Sequence, residues 1–457
     1  MKETASDGDR ERGILARWFF GANAPTILQL GLMLQFFIVS LSFNTWRITF
    51  FHFGEHVLDI TPKEIGFVFS VAAIPGGLAF AIGILTRYVR IERLFQFTLL
   101  ALAVGFGILS EAKSIELVTL AVLAINAGFA FFYPLATGLT MVETTASNAG
   151  GAVGRLKSVG PLSSILAAIV MINLVAAVGG YPPFYFLVGL IVVLGATLWW
   201  WLVSSAGPAE EGSARTWRFL GEGVLLVVVA AVVVSLWEHV SNALLIGIVG
   251  FYVVARGWRR PQLPTRVPDR GSFRVLGTLW PYYALNLVAG MRSGLFRAFV
   301  LFSLVTEYGV DLSGTAILIV VGHLAGFAGY RFLGRLADSK FAAAGLALVY
   351  LVVAIEFMGF GFGASAWSLP VYVLSGLFVL DSFVFGTSAI TDAYLRRRSA
   401  DEGFVASVSV GMTVFYVGGF VAPALGGIVW EALGRDWTFA MGSGVALAGA
   451  LLSRHLR

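Results

Sequence analysis

Two groups of residues in this sequence are of types and spacings that can do chemistry. The first is His52-Phe53-Gly54-Glu55-His56, which spells H-x-x-E-H, an inverted zinc-peptidase pattern. Two imidazoles and a carboxylate one helical turn apart can hold Zn²⁺ and activate a bound water. The second is a set of charges inside long apolar runs. Arg292, Glu356 and Asp381 lie near the middle of such runs, and Arg47 and Arg297 lie nearer the ends. A charge at the centre of a bilayer costs roughly 2.5–3.5 kcal/mol, so it is kept for pairing, ion handling or substrate binding. There is no Cys, which removes thiolate chemistry and disulfides. No Walker A, G-x-G-x-x-G or G-x-S-x-G pattern occurs. Without an ATP site, any pumping must run on an ion gradient.

The elements that carry these residues are apolar helices. The chain of 457 residues is 58% hydrophobic and 12% charged, with a mean hydropathy of +0.85. Soluble domains carry about 25% charge, so soluble globular and disordered classes are excluded. Apolar runs occur at 24–46, 64–85, 94–110, 117–140, 158–178 and 182–203, then at 219–237 and 240–255. Six more follow at 276–303, 316–333, 341–363, 369–393, 404–430 and 437–453. Most approach the roughly 20 residues that span a bilayer core, and 240–255 is short. Nothing alternates as a membrane β-strand would. The N-terminus does not read as a cleavable signal peptide, and residues 1–23 are expected to be a cytosolic tail.

Fourteen crossings from an inside N-terminus place Lys63, Lys113 and Arg435 outside. Arg47, Arg292 and Arg297 fall within or at the edge of spans, and the rest of the 31 Lys and Arg fall inside. That asymmetry follows the positive-inside rule. It accounts for the net charge of +5 with no nucleic-acid partner.

The chain also repeats. Asp59-Ile60-Thr61 and Asp311-Leu312-Ser313 occupy the outer loop after the first helix of each half. Gly151 and Gly403, entering the fifth helix of each half, share the same spacing. The expected organisation is a six-helix bundle at 24–203, a linker with two added helices at 204–275, and a second bundle at 276–457. The fold class is all-α and polytopic.

Gly334-Arg335-Leu336-Ala337-Asp338, between the second and third helices of the second half, has a G-R-x-A-D form. With the six-plus-six plan, it makes the chain resemble the major facilitator superfamily. The matching loop of the first half runs from Gly83 to Arg90, with Arg87 in the place of the Asp. Gly160-Pro161 and Pro423-Ala-Leu-Gly426-Gly427 are similar to the family's antiporter motif, weak evidence for export. Twelve helices plus a central hairpin look like either the fourteen-helix drug exporters or the bacterial peptide carriers. The peptide carriers' E-x-x-E-R pattern is absent from the first helix. In the resembling family, groups such as Arg335, Asp338 and Asp392 latch the cytosolic gate, and Glu143 with Arg87 or Arg90 would do likewise.

Helical plots place the remaining polar groups. The first helix aligns Gln29, Ser40 and Arg47, and the fourth aligns Asn126, Tyr133, Thr137 and Thr140. In the second half the first helix aligns Tyr282, Asn286, Ser293 and roughly Arg297, and the fourth aligns Asp381, Ser388 and Asp392. These four helices face water or one another; in the resembling family they line the central cavity. Arg292 lies about 80° off its stripe, so it either pairs with Asp381 in the cavity or packs against a neighbour. Arg47 and Arg297 either snorkel to the outer interface or grip an anion. Glu356 is either a protonated structural acid or a proton relay, and His323 is read as a satisfied core histidine.

The expected function is secondary active transport of a small organic solute by alternating access, with an anionic solute favoured by the three arginines. Asp381 is the first candidate for proton coupling and Glu356 the second. Substrate binding falls to Arg47, Arg292, Arg297, Asn126, Tyr133, Tyr282 and Asn286. A multidrug or sugar carrier, a membrane receptor and a lipid scramblase are the other readings. The H-x-x-E-H run sits at the outer end of the first helix with no domain to shape a cleft. It is read as polar loop residues, with a metallopeptidase and a weak extracellular metal site as the alternatives, and no enzyme, metal or cofactor is assigned. The expected partners are the solute, protons or another coupling ion, and the bilayer of the plasma membrane. Both termini are expected in the cytosol and the protein is expected to act as a monomer.

Overall fold

The computed structural model describes residues 27–85, 88–142, 149–205, 224–229, 241–257, 277–337, 339–363, 365–398 and 401–456. Among the described residues every regular element is helical. Helix α1 (Ile27–Phe53) ends in a π turn, Gly54–Leu58. Then follow α2 (Pro62–Gly77), α3 (Ala81–Leu85), α4 (Ile91–Glu111), α5 (Ile115–Val142), α6 (Ala149–Ala177) and α7 (Tyr181–Ser205). Helix α8 (Asn242–Gly257) belongs to the central segment. Next come α9 (Trp280–Leu295), a π turn at Phe296–Val300, α10 (Leu301–Thr306), α11 (Leu312–Ala337) and α12 (Ala342–Met358) with its own π turn, Gly359–Gly363. Helix α13 (Val371–Val384) passes through a 3₁₀ turn, Phe385–Thr387, into α14 (Ser388–Arg398), and α15 (Asp401–Leu433) and α16 (Arg435–Leu452) complete the chain.

Local sequence sets the starts of α2 and α11. Thr61 caps α2 in a capping box with Glu64, with Pro62 at the first helical position. At the matching place in α11 the cap is Asp311, whose Oδ1 accepts from the Gly314 N–H at 2.8 Å. Eight helices among the described residues are long and apolar enough to cross a bilayer. Of the two central runs, 219–237 lies outside the described residues apart from 224–229, a helical stretch. Helix α8 has 16 residues; at 1.5 Å per residue it reaches about 24 Å, short of a ~30 Å core.

The same helix pairs pack before and after the central segment. Helix α1 packs on α6, α2 on α5 and α4 on α7; likewise α9 packs on α15, α11 on α13 and α12 on α16. Across the molecule α2 packs on α15, and α6 on α11. The α2–α15 seam is close because it is built on glycine. A Cβ on Gly66 would sit 2.4 Å from the Pro423 carbonyl, and one on Gly427 2.9 Å from the Lys63 Cα. At the start of α2 Lys63 and Glu431 approach to 3.6 Å. The glycines of the P-x-x-G-G run are therefore packing contacts: Gly427 abuts α2, and Gly426 abuts Phe299 and Leu295.

The N-terminal end of α8 docks on the C-terminal end of α4. The Glu111 carboxylate accepts from the Ala243 N–H at 3.2 Å and the Ser241 hydroxyl at 3.0 Å, while Asn242 donates to Ser110 Oγ at 3.1 Å. Gly107 and Gly250 bring the backbones together against Ala243 and Leu100. Helix α8 also touches α7. None of its residues lines the cavity described below. Replacing residues 218–260 by a flexible linker is expected to lower the melting temperature and leave substrate binding intact. Loss of binding with the remaining helices still folded would place this segment in the site.

Candidate functional site

The buried charges of α9, α12 and α13 come together. Arg292 and Asp381 are 4% and 2% exposed in their side chains, with Nη1 3.2 Å from Oδ1. Arg292 Nη2 donates to Asp381 Oδ2 at 3.4 Å. Charge-assisted bonds of good geometry are 2.7–2.9 Å, so this is a slack pair. Arg292 Nη1 and Asp381 Oδ1 have no hydrogen-bond partner. The Phe385 ring lies 5.6 Å below the guanidinium. Glu356 on α12 is buried, with both carboxylate oxygens lacking a hydrogen-bond partner. It interacts electrostatically with Asp381 and Arg292. The off-stripe direction of Arg292 thus leads to two carboxylates on neighbouring helices.

Arg292 also lines a cavity of about 160 Å³ with Asn286, Ser293, Tyr350, Thr387 and Ser388. The wall includes the break between α13 and α14, where Gly386 departs from helical geometry (ψ 19°). A Cβ there would meet the Tyr330 ring of α11 at 2.9 Å. The break falls one turn beyond Asp381. Interrupted helices of this kind surround binding sites in transporters, because their freed backbone groups can face a cavity.

Arg47 from α1 and Arg297 from α9 are each half-buried and lie within electrostatic range of one another. Arg297 sits in the π turn, with Nε donating to the Ser293 carbonyl at 3.1 Å, and is in range of Tyr416 and Arg292. Among the described residues no carboxylate forms a salt bridge with either guanidinium. His323 of α11 is in range of Arg47 and is bonded to its own helix through Ile319 O at 2.7 Å. These two arginines, with no salt bridge among the described residues and in range of each other and of the buried Arg292, make this region electropositive.

The other sequence candidates are dispersed. Asn126 is half-buried and donates to Val122 O at 2.8 Å. Tyr133 is half-buried, its ring 5.5 Å from that of Phe36. Tyr282 lies toward the other end of α9, buried, and interacts through its hydroxyl with Asp392 and Asn286. Asn286 donates to Tyr282 O at 2.9 Å and lines the cavity. Asp392 is exposed on α14, and Arg335 is exposed on the last turn of α11. Asp338, Glu143 and Arg87 lie outside the described residues. Sequence reasoning missed Tyr416 and Tyr350. Both sit in runs where an aromatic reads as lipid-facing or core, so only their neighbours reveal them.

Paired helix packing on either side of a seam, with charges buried between helices long enough to cross a bilayer, defines a polytopic helical membrane protein. The chain belongs to the Major Facilitator Superfamily, whose sequence profile matches residues 15–408. No curated protein matches the sequence significantly. Among solved structures the chain is similar to the POT family transporter PepTSo, with a TM-score of 0.64, 12% identity, and coverage of 95% of this chain and 98% of that one. It is similar to the nucleoside transporter NupG at a TM-score of 0.63 and 12% identity, covering 94% and 99%. A bacterial homologue of the human lysosomal transporter Spinster, inward-facing and occupied, matches at 0.56 and 12% identity, covering 94% of each chain.

Proposed function

We propose that the protein is a secondary active transporter that exchanges a small organic anion and protons across the membrane by alternating access. The observation that carries this reading is one connected set of charges. Arg47 of α1 and Arg297 of the π turn after α9 are in range of each other with no salt-bridge partner among the described residues, and Arg297 is in range of Arg292 of the Arg292–Asp381–Glu356 group. Two guanidiniums in a partly dehydrated place favour carboxylate or phosphate held by paired N–H bonds. Beside them, one guanidinium balances one of two carboxylates. The second carboxylate is neutral only with a proton, so the group gains or loses one proton as the anion binds and leaves. Glu356, whose oxygens have no partner, holds that proton, and Asp381 holds Arg292. Residues 24–203 and 276–457 act as the two rocking units, joined by 204–275, with Tyr282, Asp392, Arg335 and Asp338 at the inner gate. Purified protein in vesicles should accumulate members of a panel of small carboxylates and organophosphates when a ΔpH is imposed. Uptake confined to neutral or cationic solutes rules out the anion reading, and uptake indifferent to ΔpH rules out proton coupling.

In this reading the protein is a monomer in the plasma membrane with both termini cytosolic. Because the chain lacks Cys, single substitutions report sidedness. Lys113→Cys and Trp367→Cys should react with an impermeant maleimide on intact cells. Tyr88→Cys, at a position 83% exposed, and Ser339→Cys should react only after permeabilisation. The reverse pattern inverts the topology.

A further inference from the structure

The H-x-x-E-H run takes no part in the charge group above, yet the fold brings its three donors together. One ligand atom from each of His52, Glu55 and His56 lies within 4.8 Å of the others. His52 and His56 stand at i and i+4 with Glu55 at i+3, so all three share one helical face. Tetrahedral Zn²⁺ with ligands at 2.0–2.2 Å sets donors roughly 3.3 Å apart. Closing the difference needs only side-chain rotation by the half-buried Glu55 and the exposed His56. The chain turns away immediately beyond. Asp59 takes a left-handed conformation (φ 50°), and the π turn is possible because Gly54 has no Cβ, which would lie 2.7 Å from Ile60.

His52 has the surroundings of a metal ligand. It is 3% exposed, and its Nε2 meets the hydroxyl of the fully buried Thr315 at 3.0 Å. With Nε2–H donating to Thr315, the lone pair resides on Nδ1. Second-shell partners of this kind fix the tautomer and strengthen metal-bound imidazoles. Thr315 belongs to α11, on the far side of the seam, and Asp311 at the start of α11 is in electrostatic range of the same ring. Two imidazoles with carboxylates nearby suit borderline transition metals; Ca²⁺ and Mg²⁺ require oxygen ligands.

We propose that His52, Glu55 and His56 bind a divalent transition-metal cation of the Zn²⁺ type, and that its binding holds the outer ends of α1 and α11 together through the His52–Thr315 bond. A cation on Nδ1 withdraws charge from the ring and makes Nε2–H a stronger donor to Thr315. Since the bond exists only while the outer seam is closed, the cation favours the outer-closed state by mass action.

Binding is tested on the full-length, tag-free protein in detergent, with no transport substrate, so the result is independent of the transport reading. Co²⁺ should give the visible absorption of a low-coordinate N/O site, displaced by Zn²⁺ and unaffected by millimolar Mg²⁺. His56→Ala and Glu55→Gln, both at accessible positions, should each weaken binding at least roughly 10-fold, and Thr315→Val about 10-fold. Saturable binding that is unchanged in His56→Ala, or no binding below millimolar metal, overturns the site. The seam is tested with Ile65→Cys, a fully buried position at the start of α2, next to the Gly66 that packs on Pro423. Zn²⁺ should slow its labelling several-fold in otherwise unaltered protein and have no effect when Thr315→Val is added. Labelling that Zn²⁺ leaves unchanged overturns the closing role.

Discussion

Arg297→Gln weakens binding of an organic anion roughly 10- to 150-fold while raising the melting temperature of the ligand-free protein. The binding loss is that of one charge-assisted contact, about 1.5–3 kcal/mol. The stability gain follows from the apo structure. Arg47 and Arg297 are like charges within range of each other, and among the described residues no carboxylate bridges them. Their mutual repulsion is relieved when either becomes neutral, as binding sites that sacrifice stability for function show generally. Arg47→Gln should behave the same way. Arg→Lys at either place should retain the repulsion but lose affinity, because the ammonium cannot make the planar two-point contact. In the double Gln variant the losses should couple, since one ligand touches both residues. The measurement is a thermal shift with and without the anions that the vesicle assay selects. An interfacial anchor gives the opposite result: Gln would leave binding alone and lower the melting temperature.

The sequence was most legible where composition alone decides the outcome. Apolar runs of bilayer length predict helices wherever the described residues allow a comparison, and Asp59/Asp311 predict matched outer turns. The equivalent turns nonetheless use different caps, Thr61 and Asp311, because the motif keeps two cap-competent residues and either suffices. The interruptions were not legible. The π turn at Phe296–Val300 and the 3₁₀ turn at Phe385–Thr387 contain no Pro, since Pro281 and Pro370 stand at the helix starts; at the second, Gly386 packs against Tyr330. Tyr282 and Arg297 share a stripe on paper and stand near opposite ends of it, Tyr282 meeting Asp392 and Arg297 in range of Arg47. Glu356 illustrates the other limit. Its cost in a membrane marked it as unusual, but that it lies in electrostatic range of Asp381 and Arg292 depends on three helices meeting, which no single-helix pattern contains.

Glu356→Gln abolishes ΔpH-driven accumulation and spares counterflow exchange of the same anion. The substitution keeps the shape of the protonated acid and removes the site for the proton. Arg292 still has Asp381, 3.2 Å away, so no charge is stranded and the protein folds normally. Asp381→Asn has a different route to the same loss of coupling. Arg292 loses its partner, and the remaining carboxylate in range is Glu356, which must then stay ionised to balance the guanidinium. The proton site is consumed by pairing. Each single variant therefore folds, exchanges and fails to accumulate. The double variant Glu356→Gln/Asp381→Asn should not fold well, because it leaves Arg292 buried without a counter-ion. Breaking a buried pair in that way costs about 3–5 kcal/mol, far beyond the sum of two near-neutral singles. Adding Arg292→Met to the double variant should restore the melting temperature by removing the stranded charge. Accumulation surviving in Glu356→Gln moves the proton to Asp381. Additive stability effects in the double variant show that the two carboxylates do not share Arg292, and the three-charge mechanism then fails as a whole.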